Sequence, residues 1–293
     1  MLTVEILRNL WPNGNTKIPG LIEGIARAAP TVFPRYGLNS NLVIAHAMAQ
    51  FSHECGAGLE MVENINYSAE RAVDVWPSRF TSAADCYSKC DSYAGDPQFH
   101  IKLIDHVYGG RMGNAPYPSH DGSTYIGRGL SQVTGKEGYQ KLATRTGLNV
   151  ITTPSILSSP TYALECGVAD FVLCGCLPYA EKDDIDNVTL KLNGGHVGLL
   201  ERKAWLTKWK PAMAASPAIV VVPPVPVPPI PTPIPEPIPP VIHPKHATGI
   251  AAVIAGIVAA LQQHSTIAII AIVVAVVVVA LLLHFFWPTK KGP

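Results

Sequence analysis

Charge is scarce in this chain, and nothing gathers what there is: charged residues make up 15% of the sequence and the net charge is +1. Three of the 22 basic residues and one of the 21 acidic ones follow Lys210, which leaves 19 and 20 in the first 210 residues. A nearly neutral body without a basic run lacks the electrostatic footprint of a nucleic-acid binder. Paired C-x-x-C spacing is also missing. The six cysteines, Cys55, Cys86, Cys90, Cys166, Cys174 and Cys176, are unevenly spread, which removes the usual zinc frameworks and leaves buried thiols as the first reading and disulfides as the second. Met1 to Asn15 has neither the basic start nor the continuous apolar core of a secretory signal, which predicts a body made in a cytoplasm.

What is abundant lies at the other end. From Pro217 to Pro244 prolines dominate, a composition that builds a polyproline II spacer and not a packed core. At about 3.1 Å per residue, Pro223 to Pro244 would span roughly 70 Å. Ile267 to Leu283 is unbroken by a polar side chain. Thr266 to Trp287 is thus about 20 residues long, enough to cross a bilayer, and Phe285, Phe286, Trp287, Lys290 and Lys291 make an aromatic and basic interfacial end. The organisation expected is a globular domain over residues 1–212, a linker over 213–246 and a hydrophobic membrane anchor over 247–293, with a transmembrane helix at about 266–287. Gly249 to Leu261 is apolar but short, so a second membrane segment stays open, as does the orientation.

Within the body, Asn41 to Glu54 has polar helix-start residues before it and apolar or small residues at helical spacing, which predicts a helix with one buried face. Glu54 closes that helix, where the backbone dipole disfavours negative charge, and it follows a largely apolar stretch. Both effects suit a general acid. On an unbroken helix Glu63 would lie about 13 Å further along and on the opposite face, but Gly56 and Gly58 predict a break. Once the chain turns back, Glu63 can face Glu54 across a gap of roughly 6.5 to 9.5 Å, the separation that admits an attacking water.

The remaining stretches read as helices with punctuation. Two short helices broken at Trp11-Pro12-Asn13-Gly14 and at Pro30 and Pro34 occupy the first 36 residues. Others are expected at 68–75, within 81–110, and at 137–146, 163–174, 185–192 and 199–210. A loop from Arg111 to Tyr125 delivers Tyr125-Ile126-Gly127-Arg128-Gly129-Leu130-Ser131-Gln132-Val133-Thr134-Gly135. In an extended chain Arg128, Leu130, Gln132 and Thr134 share a face, placing a guanidinium, an amide and a hydroxyl on one wall of a cleft. Asn193-Gly194-Gly195-His196-Val197-Gly198 reads as a helix cap and turn, without the spacing of a nucleotide loop.

The set His53-Glu54, Glu63-Asn64-Ile65-Asn66-Tyr67-Ser68, Trp76-Pro77-Ser78-Arg79-Phe80, the Tyr125 to Gly135 motif and Leu192-Asn193-Gly194-Gly195 resembles glycoside hydrolase family 19. The resemblance is to the phage endolysin and bacterial lysozyme-like branch of that chitinase family, and it covers nearly all of residues 1–210. It implies a mostly α, lysozyme-like two-lobed domain with a substrate cleft and inverting cleavage of a β-1,4 bond between N-acetylated sugars, with no cofactor and no metal. Glu54 matches the general acid and Glu63 the general base. Gln132 and Asn193 match substrate-binding positions, and Thr134 stands where a Ser or Thr helps hold the water. Tyr125 and Arg128 are cleft-lining candidates for which packing and an ion pair across the lobes are the alternative. Cys55 and Ala57 depart from the residues common after the His-Glu pair, and Ser131 departs from an aliphatic position.

These readings point to a membrane-anchored peptidoglycan hydrolase, with glycan strands and a lipid bilayer as partners and a host inner membrane or a virion membrane as its location. A chitinase shares the residues. A cysteine peptidase built on Cys55 and His53 would place its two groups about 100° apart on a helix. A zinc peptidase would need His where Ala57 stands. The non-enzymatic alternative is a wall-binding membrane protein that kept the fold without the chemistry.

Overall fold

The computed structural model describes residues 2–215. The membrane anchor and nearly all of the expected linker lie outside the described residues. No helix among the described residues is long and apolar enough to cross a membrane.

The domain is mostly helical. Its helices are α1 (Val4–Leu10), α2 (Leu21–Arg35), α3 (Asn41–Glu54), α4 (Ala69–Val75), α5 (Ala83–Lys89), α6 (Phe99–Tyr108), α7 (Asp121–Thr124), α8 (Lys136–Thr146), α9 (Ala163–Leu173), α10 (Leu177–Ala180), α11 (Ile185–Asn193) and α12 (Leu199–Ala214). Short 3-10 turns occupy Gly56–Gly58 and Pro154–Ser158. Isolated bridges join Val62 to Arg128 and Arg128 to Val133.

Helix α3 is the axis of the larger core. Ser40 caps it by accepting a hydrogen bond from the Val43 amide at 3.2 Å, as a residue with a short side-chain oxygen does at a helix start. The expectation of one buried face is corrected: every residue from Val43 to Ser52 is buried. A helix apolar nearly all round belongs inside a bundle, and α12 packs along it more extensively than any other pair of elements pack. Two of the polar residues it carries inward, Gln50 and Ser52, have specific partners. Gln50 donates to the Thr189 hydroxyl at 3.0 Å. The Ser52 hydroxyl donates to the Met48 carbonyl and accepts from the indole N–H groups of both Trp11 and Trp209, each at 2.8 Å. One serine thus clips α1 and α12 to α3.

Two local expectations fail for tertiary reasons. Helix α2 runs through Pro30 and Pro34, although an interior proline removes a hydrogen bond and crowds the preceding turn. The helix keeps going because Leu21, Ile22, Ile25, Ala29, Val32 and Phe33 form one stripe buried in the main core. Gly24 on α2 presses against the Pro160 carbonyl so closely that a Cβ there would lie 2.0 Å from its oxygen. The Arg128 to Thr134 segment is a tight turn and not an extended strand. Gly129 and Gln132 adopt φ of 81° and 52°, Arg128 pairs with Val133, and Leu130 is driven into the core.

A second, smaller core gathers Ala69, Ala72, Phe80, Cys86, Cys90, Phe99, Leu103 and Val107 from α4 to α6, with Tyr67 and Tyr108 packed against it. The chain from Met61, in the main core, to Tyr67 crosses between the two. Five of the six cysteine thiols are buried and Cys174 is half-buried.

Ser52→Ala removes the acceptor of two buried indole N–H groups while leaving both indoles in place. A loss of roughly 2–4 kcal/mol is expected from two unsatisfied donors, read by urea denaturation of the purified chain; a loss under about 0.5 kcal/mol would mean that Ser52 is no clip.

Candidate active site

Three consecutive left-handed residues turn the chain after Glu54: Gly56, Ala57 and Gly58, with φ of 54°, 54° and 92°. This is the expected break. Gly58 also has no room for a side chain, since a Cβ would sit 3.0 Å from the Gly14 backbone. The chain returns so that the Glu63 amide donates to the Gly127 carbonyl at 2.8 Å and Glu63 Oε2 accepts from the Gly127 amide at 2.9 Å. Glu63 Oε1 accepts from the Tyr108 hydroxyl at 2.6 Å. Each carboxylate oxygen therefore has its own donor, and the group is half-buried and fixed in orientation.

Gly127 is the meeting point of the predicted residues. A Cβ built there would lie 3.0 Å from Gln132 Oε1, 3.2 Å from Thr134 Oγ1 and 3.4 Å from Glu63 Cβ. The structure thus brings Glu63, Gln132 and Thr134 together around one glycine. The turn arranges them where an extended strand would not. Gln132 donates through Nε2 to the carbonyls of Glu60 and Gly129, both at 2.9 Å, which holds the turn against the segment leading to Glu63. Thr134 Oγ1 donates to the Gln132 carbonyl at 3.0 Å.

Glu54 meets a different environment from the apolar one expected. Its Oε1 accepts from Arg202 Nη2 at 2.7 Å, with the Arg202 side chain 2% and the Glu54 side chain 16% exposed. Arg202 Nη1 donates to the Gln50 side chain and Nε to the Val197 carbonyl. A planar guanidinium satisfied on three sides makes a rigid fork, and it holds the Glu54 carboxylate through one oxygen. Arg202 was not singled out from the sequence. It falls on the buried stripe of α12 with Leu206, Trp209 and Met213, and a charged residue on an apolar stripe was the available signal.

The glycine-rich turn does more than cap. Gly194 ends α11 and Gly198 starts α12, with φ of 71° and 70°. A Cβ at Gly198 would lie 2.1 Å from His53 Nε2, so the glycine lets α12 bring Arg202 up to Glu54. Burial and then Arg202 push the His53 pKa down, which keeps the imidazole neutral beside the ion pair at neutral pH. Asn193 is exposed, and among the described residues its side chain donates to the Gly195 carbonyl, at 3.5 Å.

Tyr125 and Arg128 take the packing alternative. Tyr125 is buried, edge-on to Tyr139 with ring centroids 5.1 Å apart, and its hydroxyl donates to the Ile151 carbonyl at 3.3 Å. Arg128 is turned inward: Nη1 donates to the Thr124 carbonyl at 2.6 Å and to the Tyr139 hydroxyl at 3.0 Å. Both brace the turn that carries Gln132.

Asp170 on α9 is a further acidic group that the sequence did not suggest. Burial raises its pKa from 3.8 to about 6; the adjacent Ser131 hydroxyl opposes the rise and the Glu54 charge adds to it. A carboxyl that senses Glu54 while lying beside Ser131 links the surroundings of Glu54 to the Gln132 turn.

No family model matches the chain. The chain is similar to a protein of Haemophilus influenzae named as a glycosyl hydrolase family 19 domain-containing protein. The two are 27% identical over 192 residues, which cover 64% of this chain and 88% of the relative. Among solved structures, chitinase C from Streptomyces griseus HUT6037 aligns with a TM-score of 0.44 at 15% identity, covering 73% of this chain and 76% of that one. A point mutant of chitinase C aligns with a TM-score of 0.40 at 14% identity, covering 73% and 93%.

Two variants test the electrostatics. Arg202→Met strands the Glu54 carboxylate and the Gln50 carbonyl, and should cost about 3–5 kcal/mol of folding stability, read by chemical denaturation; a change within 1 kcal/mol would show that the ion pair holds nothing. For Asp170 the folded pKa lies above the unfolded one, so its ionisation opposes folding from about pH 4 upward and does so in full above about pH 6. Asp170→Asn should therefore stabilise the protein at pH 8, on the order of 2 kcal/mol, and the gain should fade as pH drops toward 4. Equal stability of the two proteins at pH 8 would contradict the burial argument.

Proposed function

We propose that residues 1–212 form a lysozyme-like glycoside hydrolase domain of the family 19 type that cleaves β-1,4 bonds of the peptidoglycan glycan strand with inversion. The observation that carries this reading is the differing support of the two carboxylates. Glu54 ends a buried helix with one oxygen held by Arg202, and Glu63 is pinned at both oxygens beside Thr134 and Gln132.

In the mechanism, Glu54 passes a proton to the glycosidic oxygen as the bond from that oxygen to the anomeric carbon breaks. Arg202 occupies Oε1, which leaves Oε2 to carry the proton. A water on the far face of the sugar ring attacks the anomeric carbon and yields a proton to Glu63. Its carboxylate is already oriented by Tyr108 and Gly127, and fixed orientation is worth several kcal/mol to such a step. In this reading Thr134 holds that water, and the exposed Asn193 and the Gln132 side-chain oxygen meet the N-acetyl groups and hydroxyls of the glycan. Tyr125 and Arg128 support the wall from behind the Gln132 turn.

The cysteine peptidase alternative fails on chemistry. Cys55 is fully buried, its thiol donates to the Phe51 carbonyl at 3.0 Å, and burial pushes its pKa up to about 12. A protonated, enclosed thiol is no nucleophile. The proline-rich stretch and the apolar run at 266–287 support a tethered enzyme, in which a spacer of tens of ångströms lets a membrane-held domain reach the wall.

The test uses the full chain in mild detergent with isolated sacculi and, in parallel, chitin. New reducing ends from sacculi are expected, with an α-anomer as the first product. Glu54→Gln and Glu63→Gln should each lower the rate by about 10²–10⁴-fold while wall binding persists. Reducing ends from chitin alone would move the substrate to chitin; none from either polymer would leave a wall-binding protein.

A further inference from the structure

The orientation of Glu63 is decided by two different cores. Its Oε2 and its own amide are tied to Gly127, in a turn whose Tyr125 and Leu130 belong to the main core. Its Oε1 is held by Tyr108 at 2.6 Å, at the end of α6, whose ring packs against the second core. The chain on either side repeats the division: Met61 is buried in the main core and Tyr67 packs against the second. Glu63 thus stands on the seam, with one carboxylate oxygen referred to each side.

We propose that Tyr108 is the positioning residue for the Glu63 base, so that the general base is aligned only while the second core is seated against the main one. This inference rests on the hydrolase reading and adds to it a residue of α6. The hydroxyl suits the task. Burial, then the neighbouring Glu63 carboxylate, push its pKa well above the ordinary phenol range, so it stays a donor. A short hydrogen bond from a neutral hydroxyl to a carboxylate is among the stronger of its kind. The phenol ring is half-buried, so its edge is fixed by packing and not by the hydrogen bond alone. In this role Tyr108 acts through the orientation and charge of Glu63.

The consequence is a kinetic signature that a purely structural tyrosine would not give. Tyr108→Phe keeps the ring and its packing and removes one donor. Glu63 Oε1 then loses its anchor to the second core, and the ionised base loses a hydrogen bond that favours it. The acid limb of the rate profile should therefore move to higher pH by about one unit, since a hydrogen bond to a charged group contributes about that much. At the pH optimum kcat should fall about 10-fold to 100-fold, while KM changes less than about twofold, because the sugar contacts are untouched.

The experiment measures reducing-end release from sacculi by the full chain and by Tyr108→Phe across pH 4 to 9, with thermal unfolding of both. A lowered kcat with nearly constant KM, a shifted acid limb and an unchanged unfolding midpoint is the expected result. An active wild type with a Tyr108→Phe profile superimposable on it overturns the inference and leaves the hydrolase reading standing. A lowered kcat with an unshifted limb and a lower unfolding midpoint also overturns it, by reducing Tyr108 to packing. An inactive wild type overturns the hydrolase reading and this inference with it.

Discussion

Arg202 is the constraint on which the main core and the site both depend. A guanidinium almost wholly removed from water must have its donors met, because an uncompensated buried charge costs several kcal/mol. Here the partners are Gln50 and Glu54, one turn apart on α3, and the Val197 carbonyl at the entrance to α12. That set fixes the rotation of α3, the register of α12 against it and the position of the glycine turn at once. A residue that would be a liability in an apolar interface sets the geometry of the bundle's central pair, and the carboxylate at the end of α3 is delivered to a defined place by the same bonds. The two indoles on Ser52 reinforce the register half a turn away. Packing alone would leave α3 and α12 free to slide by a residue; polar pairs at fixed positions do not.

The glycines matter at the points where this arrangement demands close approach. Gly198 abuts His53, and Gly127 lies where Glu63, Gln132 and Thr134 converge. Neither is a flexible spacer. Each removes a side chain from a place where two functional elements must come within van der Waals distance, and Gly56 to Gly58 provide the left-handed backbone that turns Glu63 back toward the domain. The site is built as much by absent side chains as by present ones.

Much of the fold was legible in the sequence because local signals agreed with the tertiary outcome. The capped start of α3, the break after Glu54 and the helices near 137–146, 163–174, 185–192 and 199–210 all stand within a few residues of where periodicity and turn residues put them. Pro30 and Pro34 misled because the buried stripe of α2 outweighs the lost hydrogen bonds. The Tyr125 to Gly135 motif identified residues that meet, but its two-residue alternation suggested a strand where positive φ at Gly129 and Gln132 makes a turn. Alternation alone does not separate a short strand from a turn that places every second residue on one side. Arg202 left a trace, a charge on an apolar stripe, whereas Tyr108 left none. It lies 45 residues from Glu63, on a helix whose own pattern concerns a different core.

That last relation changes how the two carboxylates compare. Glu54 is held wholly within the main core: its helix, its arginine and the turn that brings the arginine all belong there. Glu63 is held between cores, and its alignment carries the free energy of their contact. Under the proposed function, a substrate that drew the two cores together would bear on the hydrogen bonds that hold Glu63 and not on the one that holds Glu54. Differential strengthening of that kind, in which substrate contacts remote from the reacting atoms improve the geometry of one reacting group, is how binding energy is turned toward the transition state and away from mere affinity. The division of labour follows from the chain's topology. Glu54 ends a helix packed into the centre of the bundle, whereas Glu63 sits on one of the two stretches of chain that join the cores, the other being the return from Tyr108 to Tyr125.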